Sequence, residues 1–123
     1  MVSLEQDDGL VTLRFTGPPA DDDETAYLAA LDKVGRLDGP YALLTVFGGG
    51  RVLSQAGERA QALWFKATRA RMNVECRGIA MVRPGATAET AAVFQRLWTF
   101  PVSVEPDEAT AGAVLRSYLE AAP

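Results

Sequence analysis

Apolar and polar positions alternate near the start of the chain and recur at helical spacing further along it. Val11, Leu13 and Phe15 alternate with Thr12, Arg14 and Thr16, the period of two expected of a strand with one buried face. Val2 to Gln6 precedes that strand, and Asp7-Asp8-Gly9 between the two is a hairpin turn signal. Gly17-Pro18-Pro19 stops the second strand, and Asp21-Asp22-Asp23-Glu24 supplies an N-cap and favourable negative charge for a helix. Tyr27, Leu28, Leu31 and Val34 then recur at helical spacing, with Gly35 as the expected stop. Tyr41 to Phe47 is short and almost continuously apolar, which predicts a strand covered on both faces. Gly48-Gly49-Gly50-Arg51 leads from it into a helix expected from about Ser54 to Asn73.

A second buried strand is expected over 77–83, where Ile79, Ala80, Met81 and Val82 follow one another. Pro84-Gly85 turns into a helix beginning near Thr87 that carries Ala91, Phe94, Leu97 and Trp98 on one face. Pro101 to Val104 is a short strand whose proline suits its first position. Pro106-Asp107 opens the last helix, in which Ala111, Val114, Leu115, Tyr118 and Leu119 form one stripe. The order β-β-α-β-α-β-α-β-α predicts one α/β domain over residues 1–123, a mixed sheet with helices packed on it.

Composition narrows the chemistry. The chain has no histidine, which removes the commonest general base and zinc ligand and excludes any histidine-dependent triad. Its single cysteine, Cys76, excludes an internal disulfide, and Cys76 reads as a small buried residue or, beside Arg71 and Arg77, as a redox-active thiol. No cofactor and no metal are expected, and the acidic run 21–24 reads as a helix cap. No apolar run reaches the ~20 residues of a membrane span. The first eight residues have neither a basic region nor an apolar signal core, so a cytoplasmic location is the expectation.

The net charge of −4 is unevenly distributed. Residues 1–40 carry nine acids and three bases, a net of −6, whereas residues 51–83 carry seven bases and two acids, a net of +5. That basic middle segment is either a solvated face or a surface for an acidic partner. Nucleic acid is not expected, because the domain is acidic overall and carries no recognised motif.

The hairpin ending in Thr16-Gly17, the strand Leu43–Phe47, the loop and helix from Ser54, the strand Gly78–Val82 and the final short strand and helix resemble the STAS domain family. Within it they resemble most closely the small SpoIIAA-like branch, and the likeness covers nearly the whole chain. The resemblance implies a non-enzymatic regulatory or protein-interaction domain. In the signalling branch an Asp-Ser or Asp-Thr pair starts the helix after the central strand, and its serine or threonine is phosphorylated by a partner kinase. Ser54 falls near that point, with Leu53 where the aspartate would stand.

Two candidate sites follow. Ser54, with Gly49, Gly50 and Arg51, is a candidate phosphosite or anion site, since free backbone N–H groups, a helix N-terminus and an arginine converge there. The simpler reading is a helix cap at Ser54 and a flexible connection before it. On the helix itself, Ala56, Ala60, Leu63, Ala67, Ala70 and Val74 form one stripe expected to face the sheet. Phe65 and Met72 then point the other way with Ala62 and Arg69, as a partner surface for another protein or a second copy. Trp64, Trp98, Phe94 and Phe100 are expected either as ordinary core or as the lining of a small apolar cavity. A small-ligand or lipid-binding domain, with its site at the loop 48–54, is the alternative function.

Overall fold

The computed structural model describes residues 1–17, 20–48 and 53–121. The elements follow the expected order: β1 (Val2–Asp7), β2 (Leu10–Phe15), α1 (Asp23–Gly35), β3 (Tyr41–Phe47), α2 (Gln55–Glu75), β4 (Cys76–Val82), α3 (Ala88–Gln95), β5 (Val102–Val104) and α4 (Glu108–Ala121). β1 and β2 form the expected hairpin. Asp8 and Gly9 both adopt positive φ, 48° and 85°, which gives a two-residue turn the twist that matches its strands.

The five strands lie in the sheet in the order β1-β2-β3-β4-β5, with β1 antiparallel to β2 and every later pair parallel. Each parallel strand is thus added beyond the previous one in a constant direction. Right-handed crossovers then put all three connecting helices on one face. α1, α2 and α3 share that face, over a core that includes Val11, Leu13, Tyr27, Leu31, Met72 and Trp98. α4, which follows β5, covers the opposite face, where Ala111 and Leu115 meet Ala42, Leu44, Val46 and Ala80. β3 and β4 lie in the middle with core on both sides, which is why their sequences read as continuous apolar runs.

The stripe expected on α4 is the one that docks: Ala111 and Leu115 are fully buried, and Tyr118 and Leu119 pack around them. Arg14 on β2 ties the helix's first turn to the sheet through Glu108 at 2.6 Å and also reaches Glu5 at 3.1 Å. Asp107 accepts the Thr110 N–H at 2.7 Å as the N-terminal cap, and that bond holds its carboxyl below the usual carboxylate range. α1 ends at Gly35 as expected. Gly35 is a buried helical residue with no left-handed φ, and a Cβ there would lie 2.6 Å from Thr68 Cγ2 and 2.9 Å from Trp64 Nε1. Its missing side chain is what lets α1 approach α2.

A similar contact fixes α4. A Cβ on Gly78 would meet the Tyr118 ring at 2.8 Å, whereas one on Gly112 would find only Leu10 Cδ2, at 4.0 Å. Gly78→Ala is therefore expected to cost about 1–3 kcal/mol by overpacking. Gly112→Ala, inside the same helix, should gain about 0.5–1 kcal/mol from helix propensity. Urea midpoints of the two variants should move in opposite directions.

Candidate functional site

The parallel strands carry no reversal of order, so the sheet lacks the crevice at which open α/β folds usually bind ligands. The positions with chemical interest lie instead in and above the layer made by α1, α2 and α3.

At the start of α2, Ser54 caps the helix as expected, its hydroxyl oxygen accepting the Gly57 N–H at 3.0 Å. Glu24 of α1 also reaches this point. Its carboxylate accepts the Ser54 backbone N–H at 2.6 Å and the Ser54 hydroxyl at 2.8 Å. The positive end of the α2 dipole thus already holds an anion supplied by the chain itself. A phosphate on Ser54 would face that carboxylate at close range. Gly49, Gly50 and Arg51, the other members of the candidate anion site, lie outside the described residues. The acidic run on α1 divides its work, because Asp23 is buried and accepts the Ala20 N–H at 2.9 Å while Glu24 crosses to α2.

The orientation of α2 reverses the expected one. Met72 is fully buried and Phe65 is half-buried against the core, packing on Trp98 with ring centroids 5.8 Å apart. Neither points outward, so neither belongs to an outer surface. The stripe expected to face the sheet is instead exposed: Leu63 at 67%, Val74 at 68%, with Ala56, Ala67 and Ala70 also open to solvent and Ala60 half-buried. Of the four residues expected as a partner surface, Ala62 and Arg69 are exposed. The reason is area. Each Phe, Trp or Met removes several times more apolar surface from water than an alanine, so three large side chains outweigh a longer row of small ones.

Hydrogen bonds hold α2 in this orientation at its two ends. Besides Glu24 at its start, Arg71 donates to Leu37 O at 3.0 Å and pairs with Asp38 at 2.7 Å. Glu75 accepts the Gly39 N–H at 2.8 Å, and Asn73 accepts the Thr99 N–H at 2.9 Å.

Beneath α2 the packing leaves a cavity of about 140 Å³. Tyr27, Trp64, Phe65, Phe94, Met81 and Trp98 form much of its wall, and Thr45, Gln61 and Arg83 bring polar atoms to it. Three of the four aromatic residues expected around a cavity are there; Phe100 stacks on Trp98 instead, at 5.1 Å and 22°. The Tyr27 hydroxyl donates to Gln61 Oε1 at 2.6 Å, and burial pushes its pKa up to about 12. Sequence reasoning did not single out Thr45, Gln61 or Arg83. One signal was present, since Thr45 is the only polar residue in the run Tyr41–Phe47. A wider, open cleft of about 690 Å³ lies outside, between α3 and the ends of β4 and β5.

Cys76 is buried at the α2–β4 junction, and its thiol donates to Gly78 O at 3.3 Å. Burial pushes the thiol up to about 12 despite Arg77 nearby, and Arg71 is committed to Asp38. The thiol is neutral at physiological pH, which speaks against the redox reading. No family profile, no curated protein and no solved structure matches the chain.

Two outcomes test this geometry. Met72→Ala should cost about 2–5 kcal/mol, whereas Val74→Ala, two residues on, should change stability by no more than ~0.5 kcal/mol; chemical denaturation distinguishes them. The second concerns pH. Cys76 and Tyr27 keep their protons in the folded protein up to about 12, while the unfolded chain loses them nearer the ordinary thiol and phenol values. The unfolded state then binds fewer protons, so stability holds below about pH 9 and falls from there toward pH 12. The limiting slope is about 1.4 kcal/mol per pH unit for each group. Denaturation midpoints under reducing conditions across that range should fall steadily, and less steeply in Cys76→Ala.

Proposed function

We propose that the chain is a non-enzymatic protein-interaction module of STAS-like architecture that presents the outward face of α2 to an acidic partner. The observation that carries this reading is the exposure of Leu63 and Val74 on one helix face, in a row with Ala56, Ala67 and Ala70. Exposed alanines alone are accounted for by helix propensity. Val74 is not, because valine is a weaker helix former and gains nothing by standing in water. Leu63 and Val74 lie three turns apart, so an apolar partner segment would have to run along the helix axis.

Charge defines the partner. Arg59 and Lys66 border the row, both exposed and without a side-chain partner among the described residues. Two copies meeting through this face would bring these cations together, which disfavours a symmetric homodimer. A helix with an apolar stripe and acidic flanks would satisfy both features. The absence of histidine and the neutral Cys76 thiol fit a role that requires no chemical step.

The test places a photo-crosslinking amino acid at position 63, and separately at exposed Ala113 on α4, in protein expressed in its native cell. The expected result is one adduct specific to position 63, whose linked segment is acidic and apolar and which is lost in a Val74→Glu background. Melting temperature should be unchanged by Val74→Glu, since that side chain is exposed. Equal labelling from both positions, an adduct of the chain with itself, or an adduct only with lipid would overturn the reading.

A further inference from the structure

We propose that the cavity beneath α2 is a binding site for a small carboxylate whose body is a single aromatic ring or a compact branched alkyl group. Volume sets the body. About 140 Å³ is room for one benzene-sized molecule. The wall is chemically uniform where the body would lie. Trp64, Phe65, Phe94 and Trp98 surround it, with the Phe65 ring 5.1 Å from Trp64 and 5.8 Å from Trp98 in tilted and edge-on arrangements. A flat ring entering this wall gains the same edge-to-face contacts the residues make with one another.

The polar atoms at the cavity set the head group. Arg83 brings a guanidinium that has no side-chain hydrogen-bond or ion-pair partner among the described residues. Gln61 uses its carbonyl oxygen to accept the Tyr27 hydroxyl, which leaves its amide N–H donors turned to other use. Thr45 adds a hydroxyl from the middle of an otherwise apolar strand. Donors therefore outnumber acceptors, and one donor is a fixed cation whose planar fork suits a carboxylate. A neutral hydrocarbon would leave all of them unused, and a cation would meet Arg83 unfavourably.

Topology explains the placement. Val46 pairs with Val82 across the parallel β3–β4 ladder, so Phe47 and Arg83 emerge side by side at the carboxyl ends of these strands. The proposed head-group end thus lies beside Phe47, at the carboxyl end of β3. The body sits deeper, over Leu43 and Ile79, which are neighbours in the sheet. This site is separate from the outward face of α2, and its test does not depend on any protein partner.

Benzoate and toluene serve as probes of matched ring and different head group. Trp64 and Trp98 both line the cavity, so intrinsic fluorescence reports occupancy, and thermal shift provides a second readout. Wild-type protein should bind both probes, and benzoate more tightly. Arg83→Gln, at an exposed position, should weaken benzoate by about tenfold or more and leave toluene unchanged, with an unaltered melting temperature in the absence of probe. Gln61→Met should lower benzoate affinity in the same sense. Absence of binding by both probes, binding of toluene alone, or benzoate binding indifferent to Arg83→Gln would each overturn the proposal.

Discussion

The handedness of the crossovers is the constraint on which the rest of the molecule depends. Each parallel strand extends the sheet in one direction, so each right-handed connection returns over a single face. Three helices crowd that face and one is left for the other. The crowding has two consequences. The sheet has no reversal of strand order, hence none of the crevice where such folds place their ligands. The helices must also share limited width, and Gly35, where a Cβ would lie 2.6 Å from Thr68 Cγ2, lets α1 approach α2. What remains for function lies between the helices and the sheet, or on the helices' outer surface.

Within that layer α2 is the element with consequences on both sides. Its inward face carries Trp64, Phe65 and Met72, whose bulk fills most but not all of the space above β3 and β4. Its outward face is left with small apolar residues, two larger ones and a border of cations. The helix cannot rotate to exchange these faces without breaking the contacts of Glu24 at its start and of Arg71, Asn73 and Glu75 at its end. Glu24 has a second effect. By occupying the N-terminus of α2 with a carboxylate from α1, it converts a general anion site into an internal bond between two helices.

A cavity bounded by aromatic rings beside a solvent-facing apolar strip has a physical rationale in the composition of this one helix. Twenty-one residues with many alanines cannot fill both a core layer and an external contact. The large residues were spent on the core side, and even there they leave about 140 Å³ unfilled. Polar groups gather at the void because β3 and α2 each place one there, Thr45 and Gln61, while Arg83 arrives from the strand end.

The local order of the fold was legible in the sequence, because turn chemistry and hydrophobic period act over a few residues at a time. Asp8-Gly9, the runs Tyr41–Phe47 and Ile79–Val82, the stripe on α4, the cap at Ser54 and the opening of the last helix at Pro106-Asp107 all declared themselves in this way. The orientation of α2 did not. Six apolar positions at regular spacing outnumber Trp64, Phe65 and Met72, yet burial is decided by area removed from water, and area depends on what lies opposite. Only the assembled sheet supplies that opposing surface. Likewise the sequence contained Glu24 and Ser54, or Arg83, Gln61 and Thr45, as residues scattered along the chain. Their convergence depends on strand order and crossover hand, which bring distant positions together and leave no local trace.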